Sequence, residues 1–316
     1  MYIVISDDYQ NSIRQLACFE KAKNHTVEIF NDTVSGVDAL AERFKDAEAI
    51  VLIRERTVIN KALLDRLPKL KVISQTGKIA SHVDLDACKE KGIVVMDGRG
   101  SGAATAELNM LLILAALRKL VDEVNRLKDG QWQGYVGSQL SGKVLGVYGF
   151  GRIGKQVCEL GKAFGAKPLV WGRESSLEKA KQAGYDIASN KEEFFRNSDI
   201  VCLQLRLNDQ TRGIVKVSDL AMMKPTSLLV NASRAELIEA GALEAALKLG
   251  RPGYAAVDTY ESEPVLGADH PLLHLSNCLC TPHIGFVEKD NYEAYFGIAF
   301  DNINAYAAGS PQNVVG

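Results

Sequence analysis

Gly149, Gly151 and Gly154 stand in G-x-G-x-x-G spacing, directly after the apolar run Val144–Tyr148 and directly before the helical pattern Lys155–Phe164. Each glycine in such a turn answers a physical need. The first allows the tight turn, the second lets backbone approach a pyrophosphate, and the third lets helix pack closely on strand. The helix that follows presents free amide donors to the anion. The triplet alone is weak evidence, but its place between strand and helix is the context the motif requires, and it argues against a glycine-rich turn without a ligand. A dinucleotide is therefore expected here, with Arg152 and Ile153, between the second and third glycines, at the same contact.

Such a turn belongs to a parallel sheet covered by helices, and the rest of the chain fits that sheet. Apolar runs rich in Val and Ile recur at Tyr2–Ser6, Val27–Phe30, Ile50–Ile53, Val72–Gln75 and Val94–Met96, with helical patterns between them. From Ala103 to about Lys128 the pattern is helical throughout. A second series follows, with strands expected at Val144–Tyr148, Leu169–Trp171, Ile200–Gln204, Leu228–Asn231, Tyr254–Val257 and Cys278–Thr281. The last helical segment, Asn291–Ala308, is expected to return to the first unit. A length of 316 residues, of which 47% are hydrophobic, suffices for two cores.

Composition excludes several function classes. The formal net charge of -2 with interspersed signs gives no basic stripe for nucleic acid. The start MYIVISDD lacks the basic residues and long apolar segment of a signal peptide, which points to the cytosol. The longest apolar stretch, Leu108–Leu117, is interrupted by Asn109 and reads as a buried helix rather than a membrane span. Cys18, Cys88, Cys158, Cys202, Cys278 and Cys280 show no zinc spacing and read as reduced core thiols, with no metal expected; Cys278 and Cys280 would share one strand face.

The tip of the strand after the glycine turn reports on the cofactor's ribose, because an acid there accepts the hydrogen bonds of a free 2′-hydroxyl. Here the strand ends in Gly172-Arg173-Glu174. Gly172 removes both charge and bulk and Arg173 suits a 2′-phosphate, so NADPH is favoured over NADH. Glu174 keeps NADH open, since it can do the acid's work from a later position.

Three residues follow later strands. Arg234 comes after Leu228-Leu-Val-Asn-Ala-Ser, Glu263 lies in Val257-Asp-Thr-Tyr-Glu-Ser-Glu-Pro264, and His283 lies in Thr281-Pro-His-Ile-Gly285. Hydride transfer to a ketone leaves an oxyanion to be protonated, and histidine suits that role near neutrality. A carboxylate beside an imidazole favours its charged form, which gives Glu263 its part. A guanidinium holds a carboxylate in bidentate fashion and never deprotonates, which gives Arg234 its part. Each residue alone has an ordinary structural reading; together, at strand ends beyond a dinucleotide turn, they make a catalytic set.

Across nearly the whole chain the sequence resembles the D-isomer-specific 2-hydroxyacid dehydrogenase family, through Gly149-Phe-Gly-Arg-Ile-Gly154, Asn231-Ala-Ser-Arg234, Asp258–Pro264 and Thr281-Pro-His-Ile-Gly285. The resemblance implies a fold of two doubly wound parallel-sheet α/β domains: a Rossmann dinucleotide domain (103–283) inserted in a flavodoxin-like substrate domain (1–102 and 284–316). It implies Arg234, Glu263 and His283 as catalytic residues, Ala232 and Asp258 beside the cofactor, and a homodimer built through the dinucleotide domain. It implies hydride transfer between NAD or NADP and a small 2-keto or 2-hydroxy acid such as glyoxylate or hydroxypyruvate.

The sequence also departs from the family. Where the substrate-carboxylate loop normally reads Gly-x-Gly, this chain has Gly77-Lys78-Ile79. Lys78 reads either as a solvated loop lysine or as a second cation toward a more anionic substrate, and phosphite dehydrogenases are similar in having a lysine there. Glu263 stands where formate dehydrogenases place a glutamine. Arg54 and Arg56, in Ile53-Arg-Glu-Arg-Thr57, read as a charged loop or as substrate contacts. The rival from another class is a cofactor-sensing binding protein of the corepressor type, which this fold also serves.

Overall fold

The computed structural model describes residues 1–315 and separates into two compact units, Met1–Ser101 with the segment from Val287 onward, and Gly102–Phe286. The first unit holds β1 (Tyr2–Ile5), β2 (Thr26–Ile29), α1 (Val37–Phe44), β3 (Ala49–Ile53), α2 (Lys61–Leu64), β4 (Val72–Thr76), α3 (Leu85–Glu90) and β5 (Val94–Met96). Its five strands lie in the order β2-β1-β3-β4-β5, all parallel, which is the flavodoxin-like winding. β3 is apolar and buried throughout because helices cover both faces of a parallel sheet. β4 is buried too, yet carries Ser74, Gln75 and Thr76, and their polar atoms are satisfied: Thr76 donates to the Leu52 carbonyl, Gln75 donates to the Lys78 carbonyl and pairs with His82, and Asn302 donates to Ser74.

The second unit begins with α4 (Ala103–Leu117) and α5 (Leu120–Lys128). Sequence periodicity reads these as one helix, but the chain breaks at Lys119, which adopts φ 52° while its ammonium sits 3.2 Å from the centroid of the Tyr254 ring. That cation–π contact helps compensate the left-handed conformation, which costs a non-glycine residue on the order of 1–2 kcal/mol. α4 is apolar on nearly every side and mostly buried, with Leu111 as an exposed exception.

The sheet of this unit contains β6 (Val144–Tyr148), β7 (Lys167–Trp171), β8 (Asp186–Ile187), β9 (Ile200–Leu203), β10 (Leu228–Asn231), β11 (Tyr254–Val257) and β12 (Cys278–Cys280), with α6 (Arg152–Ala163), α7 (Glu174–Gln182), α8 (Lys191–Asn197), α9 (Val217–Met222) and α10 (Ala242–Lys248) between strands. The order β12-β11-β10-β9-β6-β7-β8 is that of a Rossmann sheet extended by one strand. Alternate strand residues serve opposite faces: Leu145, Val147, Cys202, Val230 and Ala256 enter the core under α4 and α6, whereas Tyr148, Val201, Leu203, Leu229 and Val257 enter the core under α8, α9 and α10. The two-residue strand β8 escapes sequence reading because it is too short to show a period.

α11 (Lys289–Ala307) belongs to the first unit, as expected of the last helix, and packs on β4 and on the 3-10 segment Ala17–Ala22. Glu288 caps it by accepting the amides of Asp290 and Asn291, and Glu293 accepts those of Ala17 and Cys18. Among the described residues no helix is long and apolar enough to cross a membrane.

Candidate active site

Two of the three turn glycines are demanded by the protein itself. Gly149 has φ 103°, and a Cβ there would lie 2.5 Å from the Gln204 carbonyl oxygen. A Cβ on Gly154 would lie 2.1 Å from the Gly149 carbonyl oxygen, so α6 could not sit against β6. Gly151 differs: it has no positive φ, and a Cβ would meet no protein atom within 4 Å. It stands at the N-cap of α6, whose first amides have no intrahelical partner and suit an anion. Arg152 is exposed and Ile153 half-buried at the same edge. The turn therefore fits the pyrophosphate of a dinucleotide.

At the tip of β7, a Cβ on Gly172 would lie 3.6 Å from the Gly149 Cα, which places this tip beside the turn. Arg173 and Glu174, at the start of α7, are both exposed. Ala232 is buried in the core under α4, so only its backbone remains for a cofactor.

Arg234, Glu263 and His283 follow β10, β11 and β12, which are consecutive neighbours in the sheet, so parallel topology gathers residues far apart in sequence along one strand-end edge. Asn231 shapes the first of these ends by accepting the Ser233 amide at 3.1 Å and donating to the Arg234 carbonyl at 2.8 Å. The half-buried Arg234 donates from Nη1 to the Ser233 carbonyl. His283 Nδ1 lies 2.6 Å from Glu263 Oε2, both side chains remaining partly exposed. His283 has φ 51°, a conformation costly outside glycine and found where the surroundings impose it.

Asp258 supplies that imposition. It is fully buried; its Oδ1 accepts the Thr281 hydroxyl at 2.6 Å and the Ile284 amide at 2.9 Å, and its Oδ2 accepts the Gly285 amide at 2.8 Å. Burial raises its pKa, opposed by those hydrogen bonds and by His283. Its oxygens are thus committed to the segment that carries His283, a role that its mere presence in Asp258–Pro264 does not disclose. Gln204 extends the polar lining by donating to buried Asn109, and neither residue carries a local sequence signal for that role.

In the first unit, Lys78 is half exposed and ion-paired. Its ammonium lies 2.5 Å from buried Asp97, and the Ile79 amide donates to the same carboxylate at 3.3 Å. Lys78 is thus a loop lysine with a partner carboxylate, and the Ile79 amide is committed to the same group. Arg54 has φ 54°, its amide donates to the Thr76 hydroxyl, and its guanidinium lies so close over Gly77 that a Cβ there would fall 1.9 Å from Nη1. Arg56 donates to the Asp7 carbonyl and stacks on Tyr9.

The D-isomer specific 2-hydroxyacid dehydrogenase NAD binding domain profile matches residues 110–285. A D-3-phosphoglycerate dehydrogenase of Methanocaldococcus jannaschii is 36% identical over 88% of this chain and 53% of its own length, so this chain spans about half of that relative. A glyoxylate reductase of Aeropyrum pernix is 34% identical over 88% of this chain and 85% of its own. The crystal structure of a putative D-3-phosphoglycerate dehydrogenase from Ralstonia solanacearum superposes with a TM-score of 0.97 at 48% identity, covering 99% of this chain and 96% of that one. The glycine turn, the two sheets and these matches agree: the chain belongs to the D-isomer specific 2-hydroxyacid dehydrogenase family.

Proposed function

We propose that this chain is a cytosolic, homodimeric reductase of small 2-keto acids, with glyoxylate and hydroxypyruvate as candidate substrates and NADPH preferred over NADH. The observation that carries the reading is the 2.6 Å pair of His283 Nδ1 and Glu263 Oε2, which leaves Nε2 engaged by no other described residue. A proton held there can pass to the carbonyl oxygen as hydride reaches C2, and the nicotinamide supplies that hydride. Arg234 holds the substrate carboxylate by two parallel N–H donors. Glu263 keeps the ring oriented, and Asp258 keeps its backbone in place.

The glycine turn, with Arg152 and Ile153, holds the pyrophosphate; Gly172 and Arg173 receive the 2′-phosphate. Kinship with the Aeropyrum pernix glyoxylate reductase supports the substrate class. Exposed Val124, Leu127, Trp132, Tyr135 and Val136, on α5 and the segment after it, supply an apolar face suited to a second copy of the chain. All six cysteines are free thiols, which fits a reducing compartment.

The test is oxidation of NADH and of NADPH, each followed spectrophotometrically against glyoxylate, hydroxypyruvate, its 3-phosphate and pyruvate. Arg234→Ala is expected to abolish turnover while cofactor affinity stays unchanged. An unaffected rate in that variant removes the assignment.

A further inference from the structure

Cys278 and Cys280 lie on β12 with their sulfur atoms 3.7 Å apart. Among the described residues β12 is an edge strand, bonded only to β11, and both cysteines are half-buried. They line a cavity of about 260 Å³ together with Lys119, Tyr254, Leu273 and Leu279, which gives a small oxidant access. We propose that Cys278 and Cys280 form a dithiol–disulfide switch, closed by hydrogen peroxide and reopened by a dithiol reductant, that acts on the His283 segment through Thr281.

The contact between the two thiols lowers the pKa of Cys280 and, with burial, raises that of Cys278. In the proposed sequence Cys280 attacks first. Its thiolate takes one peroxide oxygen to become a sulfenic acid, and the other oxygen leaves as hydroxide and collects the thiol proton as water. Cys278 then attacks the sulfenic sulfur; the S–S bond forms, the S–O bond breaks, and the Cys278 proton leaves with the hydroxyl as a second water. Both thiols are oxidised and one peroxide is reduced.

Closure strains the strand. Residues two apart in a strand are separated by about 6.6 Å, at the upper end of the Cα spacing of about 4.4–6.8 Å that disulfides accept. An edge strand can shorten, but Thr281 follows at once, and it is tied on three sides: its amide to the Val257 carbonyl, its hydroxyl to Asp258, and its carbonyl to Tyr260. The Asp258 that holds Thr281 also holds Ile284 and Gly285, so a pull at Cys280 reaches both sides of His283. A displacement near 1 Å of a catalytic group costs on the order of 10²-fold in rate.

The effect on rate rests on the function proposed above, so the test reads the thiols separately. Purified protein is treated with equimolar hydrogen peroxide, alkylated and mapped by mass spectrometry, with hydrogen exchange followed at the Ile284 and Gly285 amides. The expected result is a peptide holding Cys278 and Cys280 that has lost two hydrogens and resists alkylation, faster exchange at both amides, and about 10²-fold loss of kcat, all reversed by dithiothreitol. Cys278→Ser and Cys280→Ser should each abolish these changes and keep their rate under peroxide, while Cys88→Ser behaves as the unsubstituted chain. Alkylation of both cysteines after peroxide, or a sulfinic acid on Cys280 beside an alkylated Cys278, overturns the proposal. So does a disulfide that forms without altering exchange at Ile284 and Gly285, whether or not a 2-keto acid is turned over.

Discussion

Glu263 grips His283 from a fixed position: one carboxylate oxygen accepts the Tyr260 amide at 2.9 Å while the other lies 2.6 Å from His283 Nδ1. A glutamine in its place has one acceptor oxygen, and if that oxygen keeps the Tyr260 amide, the NH₂ group faces Nδ1 and cannot accept its proton. Glu263→Gln is therefore expected to lower kcat/KM by about 10²–10⁴, the worth of one positioned acid–base group, with the dissociation constant of the reduced cofactor unchanged. His283→Ala should fall in the same range, and the double variant should fall little further, because the two act as a unit. Additive losses in steady-state kinetics would show that Glu263 does not work through His283.

The glycine turn separates fold from ligand by position. Gly154→Ala forces a Cβ against the Gly149 carbonyl and should lower the melting temperature and cofactor affinity together. Gly151→Ala meets open space and leaves the protein unstrained. It should keep the wild-type melting temperature in the absence of cofactor, yet weaken cofactor binding by at least ~10-fold, a cost of about 1.4 kcal/mol. Calorimetric titration beside thermal unfolding checks this, and unchanged affinity in Gly151→Ala would place the pyrophosphate elsewhere.

Cofactor choice turns on the end of β7. A Cβ on Gly172 would lie 3.3 Å from the Ser176 Cβ and 3.6 Å from the Gly149 Cα, close contacts that small adjustments can absorb. Gly172→Asp puts a carboxylate where a 2′-phosphate would stand and offers an acceptor to a free 2′-hydroxyl. The ratio of kcat/KM for NADPH over NADH should fall by about 10–10², given ~1.5–3 kcal/mol for a hydrogen bond to a charged group. Arg173→Ala should lower the same ratio by weakening NADPH alone. A chain that already prefers NADH would instead give Glu174 the ribose, and then Glu174→Ala would be the damaging change.

What could be read from the residues alone follows from where the signals are local. The glycine turn is local, because each glycine answers a backbone requirement within a few residues, and the apolar runs of β3, β6 and β10 mark strands whatever surrounds them. Arg234, Glu263 and His283 could be named from type and strand-end position, and the order β10, β11, β12 then places them along one edge. Partners are not local. Nothing near Lys78 in sequence announces Asp97, 19 positions away, as the group that takes its charge. Likewise the break between α4 and α5 depends on Lys119 meeting Tyr254, a contact that no helical period encodes. Gln204 and Asn109 look like ordinary polar residues until the sheet brings them within 2.9 Å.

Asp258 combines both kinds of information, since its neighbours in sequence mark a site while its work is done through Thr281, Ile284 and Gly285. Asp258→Asn leaves one acceptor oxygen for three donors and turns an NH₂ group toward at least one of them, which should cost about 1–3 kcal/mol in urea unfolding and lower kcat through His283. Its pH dependence carries a definite sign. Burial, the largest influence, holds the Asp258 carboxyl above its ordinary value, so the folded chain binds that proton more tightly than the unfolded chain does. The carboxyl's contribution is then complete below the unfolded value of about 3.9 and is lost as pH rises through the folded value. Asparagine does not titrate, so the stability advantage of the unsubstituted chain over Asp258→Asn should be larger below this window than above it. An advantage that grows as pH rises through the window would mean that the three donors and His283 outweigh burial and that Asp258 holds the segment as a carboxylate with lowered pKa.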